Sequence, residues 1–175
     1  MDNAKNISEK IVKSIELPLE DAWKFACEAL WGTWVGCSVN YAEEFGWDKA
    51  NERVVQRTDV EGAADAQDAL ERLKIEERDA TAALRAGLFL IVNGYPGHET
   101  RIVDYTPNKA TAVWNVCTQC NIAKEMGIAE TYDMPKLCET WWKRIAKTVN
   151  SNLDAKFNQM ICTNDGSCEV TIWKK

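Results

Sequence analysis

Four cysteines in the C-terminal half carry the clearest chemical signal in this chain. Cys117 and Cys120 form a Cys-x-x-Cys pair, and Cys138 and Cys168 follow as isolated residues. Two thiolates at this spacing can ligate one soft metal ion where a strand turns into a helix, and helix-start N–H groups also favour the reactive thiolate. We therefore predict that Cys117, Cys138 and Cys168 converge on one pocket, with Cys120 as the more dispensable partner.

Three outcomes stay open for these thiols: a bound metal such as zinc, a reactive thiolate, or an inert packed cluster. The chain contains seven cysteines, an odd number, and no export signal is recognised at its start. This combination favours free thiols, metal ligands or redox chemistry over a disulfide framework. Cys162 is interpreted as a packing residue. The predicted metal ligands are Cys117, Cys120, Cys138 and Cys168.

Acidic and aromatic residues near the cysteines supply further candidates. Glu139 directly follows Cys138 and is predicted to assist as a general acid or base, with Cys117 and Cys138 at the reacting centre. Trp114 and Trp141 are the predicted ligand- or cofactor-binding residues, because tryptophan offers a large apolar surface with one polar group. Catalytic chemistry would thus be concentrated around the middle cysteine.

Periodicity and turn signals divide the chain into two halves. Residues 1–95 are mainly helical in pattern, and residues 96–175 are predicted as ββ-α-α-ββ, with Asp165-Gly166 as a hairpin signal. The predicted fold class is α+β, with a helical N-terminal half and a small antiparallel sheet packed by helices. The predicted strands are residues 101–106, 111–117, 155–162 and 168–173.

Helix boundaries are predicted from caps and breakers. Gly32 and Gly36 are expected to break the first long helix or to let another backbone approach closely, and Gly46 is expected to mark a kink or boundary. Residues 59–68 are rich in alanine, glycine and acids and are predicted as a loop that passes into a helix near residue 63. The predicted helices are residues 6–13, a helix beginning at Pro18, and residues 39–55, 63–78, 79–92, 118–126 and 134–149.

Length, charge and hydropathy limit the class of protein. At 175 residues we predict one domain over residues 1–175, and the net charge of −6 with dispersed basic residues argues against nucleic acid. No apolar run approaches the ~20 residues that span a bilayer, which predicts no membrane association. We expect a cytoplasmic protein that binds a small molecule. The sequence leaves a homodimer open.

The C-terminal half resembles the L-2-amino-thiazoline-4-carboxylic acid hydrolase-like family, which is related to the 4-vinyl reductase ligand-binding domain. The resemblance rests on the order and spacing of Cys117, Gly127, Cys138, the turn Asn164-Asp165-Gly166, and Cys168. It implies an α+β fold. For the hydrolases it implies opening of a thiazoline ring by water, and for the 4-vinyl reductase relatives it implies a pocket for small hydrophobic molecules, some with a cysteine-held metal.

Two classes of function therefore stay open. The first is a hydrolase-like enzyme that acts on a C–N bond of a small cyclic sulfur- and nitrogen-containing molecule, such as a thiazoline carboxylate, in a cysteine-rich pocket. The second is a non-catalytic domain of the 4-vinyl reductase type that binds a small molecule, a metal or a cofactor. His98, the single histidine, lies far in sequence from any cysteine, and its role stays open.

Overall fold

The computed structural model describes residues 18–163 and 165–175. Within them it confirms the predicted α+β class, with helices first and a four-stranded antiparallel sheet in the second half. The helix expected at residues 6–13 lies outside the described residues. The elements are α1 (Leu19–Phe45), α2 (Trp47–Arg72), α3 (Ala80–Gly94), β1 (Thr100–Thr106), β2 (Lys109–Trp114), α4 (Thr118–Glu125), α5 (Met134–Val149), β3 (Leu153–Gln159), a 3₁₀ turn (Ile161–Thr163) and β4 (Cys168–Lys174).

Helix α1 is continuous where the sequence predicts an interruption. It runs through Gly32 and Gly36, and a Cβ at either position would have nothing within 4 Å, so neither glycine serves a close approach. A single helical glycine costs only ~1 kcal/mol, which the surrounding turns of helix outweigh. Gly46 does form the boundary, with a φ of 85° that favours glycine.

The loop predicted from residue 59 to the start of a helix near residue 63 is wrong, because all of residues 59–68 lie inside helix α2. Gly62 faces the neighbouring helix α5, and a Cβ there would lie 3.0 Å from the carbonyl oxygen of Trp141. Ala66 and Ala69 are both fully buried. The alanine and glycine content that indicated a loop instead permits close helix packing, and α2 ends at Arg72 rather than at residue 78.

The sheet has the strand order β1-β2-β4-β3, and every neighbouring pair is antiparallel, as predicted. Strand β2 pairs with β4 so that Trp114 lies opposite Cys168. Strand β2 ends at Trp114 and not at Cys117, and β3 ends at Gln159 before the 3₁₀ turn. Cys117 and Cys162, which were predicted to end these two strands, therefore lie in the segments that lead away from the sheet.

Helices α3 and α5 cover one face of this sheet. The two pack closely at Gly87 of α3, where a Cβ would overlap the ring of Trp142 on α5. Asp133 caps α5, as predicted, by accepting a hydrogen bond from the backbone N–H of Lys136 at 3.2 Å. Among the described residues, no helix combines the length and apolar character needed to cross a membrane.

Candidate functional site

A cavity of about 80 Å³ lies where the helices meet the end of the sheet that carries Trp114 and Cys168. Its walls come from all five helices and from strands β2, β3 and β4. Its aromatic side chains are Trp31, Trp34, Tyr95, Trp114, Trp141, Trp142 and Phe157. Its thiols are Cys117, Cys138, Cys162 and Cys168, and its other polar side chains are Thr58, Glu61, Asp65 and Gln119.

Three tryptophans form the aromatic wall, with Trp142 in contact with each of the other two. Trp114 and Trp142 have ring centroids 5.8 Å apart, and Trp142 meets Trp141 edge to face at 5.3 Å. Phe157 on β3 adds an edge contact to Trp114 at 5.9 Å. Trp114 and Trp141, the two residues predicted from the sequence to bind a ligand or cofactor, therefore line the same cavity and are joined by Trp142.

Trp114 carries an unusual polar group for this setting. The residue is 2% exposed, and its indole Nε1 has no hydrogen-bond partner in the described part of the chain. A buried donor without an acceptor costs about 1–3 kcal/mol, so native proteins rarely leave one unsatisfied. Trp114 lines the cavity although its Nε1 atom is itself buried, so a ligand atom that accepts a hydrogen bond would remove this cost once the ring turns toward it.

The thiols reach the cavity from separate elements. Cys117 is the N-cap of α4, where its Sγ accepts from the N–H of Cys120 at 3.4 Å. Cys168 begins β4, and its Sγ accepts from the N–H of Ile161 at 3.4 Å. Cys138 comes from the first half of α5. The structure thus brings the three predicted cysteines to one cavity and adds Cys162 from the 3₁₀ turn.

The positions of Cys120 and Cys162 are the reverse of those expected, since Cys120 was predicted as a metal ligand and Cys162 as a packing residue. Cys120 is 1% exposed and belongs to the apolar core, but it is not part of the cavity wall. Cys162, interpreted from the sequence as a packing residue, lines the cavity. Its proximity to Cys168 follows from the tight turn after β3, which the sequence pattern predicts as continued strand. Across residues 18–163 and 165–175, no three cysteine, histidine, aspartate or glutamate side chains are arranged to hold a metal ion.

Burial keeps these thiols protonated. Desolvation raises the pKa of Cys117 and of Cys162 to about 12 and that of Cys168 to about 11, and neighbouring cysteines add to each increase. It also raises the pKa of Cys138 well above the ordinary thiol value. Since the thiolate is the nucleophile and the metal ligand, this cluster is unreactive at neutral pH unless a cation replaces the protons.

The remaining predicted residues lie away from the cavity wall. The Glu139 side chain is 44% exposed and pairs with Lys143 at 3.2 Å on the outer surface of α5. His98 follows α3, and its Nδ1 lies 2.8 Å from the carbonyl oxygen of Tyr95. Neither side chain is among those that line the cavity, so the structure does not bring them together with the cysteines.

A polar stripe on α2 forms an end of the cavity that the sequence pattern missed. Thr58, Glu61 and Asp65 are spaced three and four residues apart and so share one helix face. Asp65 Oδ2 accepts a hydrogen bond from Trp141 Nε1 at 2.7 Å. Burial raises the pKa of Asp65, although the bond from Trp141 opposes this effect. The predicted helix over residues 63–78 included Asp65, and its extension back to Thr58 and Glu61 would have revealed the stripe.

Comparisons with solved structures show the fold that holds this cavity. The chain is similar to a trafficking protein particle complex subunit 3 from Naegleria fowleri covalently bound to palmitic acid, with a TM-score of 0.58 and 10% identity over 87% of this chain and 96% of that one. It is also similar to the phenol-responsive sensory domain of the transcription activator PoxR with phenol, with a TM-score of 0.58 and 8% identity over 85% of this chain and 74% of that one.

No protein-family model and no curated protein sequence matches the chain. At identities of 8–10% the structural likeness shows the fold alone. The resemblance to thiazoline hydrolases and the 4-vinyl reductase domain therefore stays a prediction, and the α+β fold it implied is the part that the structure supports.

Proposed function

We propose that this chain is a small-molecule-binding domain whose ligand occupies the cavity lined by tryptophans and cysteines. The observation that carries this proposal is the buried indole N–H of Trp114, which lines an otherwise largely apolar cavity without a partner in the described residues. Apolar pockets with a few well-placed polar groups are the usual form of small-molecule sites. The similar folds named above were solved with palmitic acid and with phenol.

The size of the cavity supports a compact ligand. Its volume of about 80 Å³ is smaller than the ~150 Å³ of an engineered apolar cavity that binds benzene. A single-ring compound fits after small side-chain shifts, whereas a long acyl chain needs a much larger opening. We therefore propose a ring-sized ligand with a hydrogen-bond acceptor that faces Trp114, and phenols have both properties.

Hydrolysis receives less support than binding. A thiol-dependent step needs a thiolate, and burial raises the pKa of Cys117 to about 12. The predicted acid or base, Glu139, is exposed and paired with Lys143. Turnover of a thiazoline carboxylate stays a prediction that incubation with that substrate, followed by analysis of the products, would test.

A thiolate-bound metal is our second proposal. It is favoured by the four thiols that line one cavity, which could release their protons to zinc as the ion binds. Zinc ligation needs sulfur atoms about 2.3 Å from one ion, so the side chains must move from their present arrangement. Metal quantification on protein purified without oxygen tests this proposal, and Cys117→Ser and Cys138→Ser should each lower the zinc content.

The binding proposal is tested by calorimetric titration with p-cresol, a single-ring phenol. We expect saturable binding to the unmodified chain and an affinity about 5- to 10-fold lower for Trp114→Phe, which keeps the ring but removes the N–H donor. Trp173→Phe is the matched control, because Trp173 lies on the last strand and does not line the cavity. Absence of saturable binding, or equal losses in both variants, would contradict the proposal.

A further inference from the structure

The acidic end of the cavity points to a charged group on the ligand. Asp65 and Glu61 lie one turn apart on α2, and no lysine or arginine is among the described residues that line the cavity. Glu61 Oε1 is bound by Arg57 at 2.7 Å, and that guanidinium also stacks over Trp34 at 4.9 Å from the ring centroid. The charge of Glu61 is therefore balanced by the exposed side chain of Arg57, whereas Asp65 has no cationic partner in the described residues.

Asp65 retains unused hydrogen-bonding capacity. Its Oδ2 accepts from Trp141 Nε1 at 2.7 Å, and its Oδ1 has no partner among the described residues. Removal of a carboxylate from water without a counter-charge is unfavourable, and the raised pKa of Asp65 is the expected consequence. Oδ1 is not among the buried unsatisfied atoms, so a protonated amine placed there would replace water as the donor and would supply the missing charge.

A second observation comes from the other end of the aromatic wall. Trp114 offers a buried donor without an acceptor in the described residues, and Trp142 lies between Trp114 and Trp141. The cavity wall therefore contains a residue with an unsatisfied donor and a residue with an under-used carboxylate, with the ring of Trp142 between Trp114 and the tryptophan bonded to Asp65. A ligand complementary to both has a flat apolar body, an acceptor at one end and a cation at the other.

We propose that the cavity selects a small aromatic amine that bears a hydroxyl group, with its ammonium at Asp65 and its hydroxyl oxygen at Trp114. This inference rests on the proposed binding function and specifies the class of ligand. The amine forms a charge-assisted hydrogen bond with Asp65, which is stronger than a neutral one. The surrounding tryptophan faces also favour a cation.

Three isosteric probes separate the charge of the ligand from its shape: 4-hydroxybenzylamine, 4-hydroxybenzyl alcohol and 4-hydroxybenzoate, titrated calorimetrically at neutral pH. We expect the amine to bind about tenfold or more tightly than the alcohol, and the benzoate to bind most weakly. Asp65→Asn should reduce the preference for the amine to within about twofold while the alcohol still binds, because asparagine can accept the bond from Trp141.

Controls distinguish a recognition role of Asp65 from a structural one. Asp68→Asn makes the same charge change on the exposed side of α2, where Asp68 pairs with Arg72 at 2.6 Å, and it should keep the preference for the amine. Ligand-free Asp65→Asn should melt at the same or a higher temperature than the unmodified chain, because it removes a desolvated charge. Should Asp65→Asn fail to fold, Glu61→Gln should weaken amine binding by a smaller factor.

The outcomes separate this inference from the function on which it rests. Binding of p-cresol and of all three probes without preference for the amine overturns the inference and leaves the binding function intact. Failure of every compound, p-cresol included, overturns both. A preference for the amine that persists unchanged in Asp65→Asn also overturns the assignment, because another group would then carry the recognition.

Discussion

The two ends of the cavity bury titratable groups with opposite consequences. At the thiol end, Cys117 and Cys168 respond to burial by keeping their protons, with pKa values raised to about 12 and about 11. At the acidic end, Asp65 accepts a hydrogen bond from Trp141 and has no cationic partner in the described residues. A protonated thiol is a small apolar group that packs at little cost, whereas even partial desolvation of a carboxylate such as Asp65, which is half-buried, raises the free energy of the empty site.

This difference suggests a different role for each end: the thiols contribute to packing, and Asp65 contributes to recognition of a ligand. A neutral thiol cluster stabilises the fold whether or not a ligand is present, unless a metal displaces its protons. A partly buried carboxylate without a cationic partner contributes little to the stability of the ligand-free fold. The presence of Asp65 is therefore better explained by a ligand that it binds. The four predictions below test this division, in order of expected effect.

The largest effect on stability is expected at Trp142, whose ring lies between the thiol end and the acidic end of the cavity. Trp142 is 2% exposed and contacts both Trp114 and Trp141. Trp142→Ala should lower the free energy of unfolding by about 3–5 kcal/mol, because truncation leaves a large void in the core. Chemical denaturation measures this change. Trp23→Ala, at a tryptophan that is 37% exposed, is the control, and a similar loss there would contradict the central position of Trp142.

The thiol end predicts a stability that depends on pH. Because the folded pKa values of Cys117 and Cys168 exceed the ordinary value of 9.0, their contribution is complete below about pH 9 and is lost as pH rises through about 11 to about 12. The free energy of unfolding should fall by about 1.4 kcal/mol per pH unit for each such thiol in this window.

Denaturation curves recorded between pH 8 and pH 11 measure this slope. Cys117→Ala should make it shallower, since one buried titrating group is removed, and Cys37→Ala, which removes an exposed thiol outside the cavity wall, is the control. If the slope is the same in all three proteins, the thiols do not titrate in the way their burial implies.

The acidic end is positioned by the close approach of α2 to α5. A Cβ at Gly62 would lie 3.0 Å from the carbonyl oxygen of Trp141 and 3.2 Å from the Cβ of Arg144. Gly62→Ala should therefore destabilise the fold by about 1–2 kcal/mol through overpacking, despite the higher helix propensity of alanine. Gly36→Ala, in α1 with open space around the added methyl, should be neutral or stabilising in the same denaturation experiment.

The smallest effect is expected at Glu139, which lies outside the cavity. Its pairing with Lys143 joins two exposed side chains four residues apart, and such pairs contribute about 0.3–0.5 kcal/mol. Glu139→Gln should change stability by no more than this and should leave p-cresol binding unaltered. A tenfold loss of p-cresol affinity in Glu139→Gln would show that Glu139 belongs to the binding site, and the acidic end would then not be limited to the residues of α2.

Local signals in the sequence determined much of the architecture. Asp133 as a cap, Gly46 as a boundary and the two hairpins were all predictable, because each depends on residues within a few positions of one another. The same holds for the strand content of the second half. The convergence of Cys117, Cys138 and Cys168 also followed once the order of strands and helices was known.

The tertiary structure decided what the rest of the cavity contains. Residues 59–62 have a composition that fits a loop as well as a helix, and only their packing against α5 makes them part of the helix, which places Glu61 on the same face as Asp65. Cys162 enters the wall through a turn that no local pattern encodes, whereas Glu139 lies on the exposed face of α5, away from its buried stripe. The reason is physical: caps and turns are set by neighbouring residues, whereas a cavity is set by contacts between residues far apart in the chain.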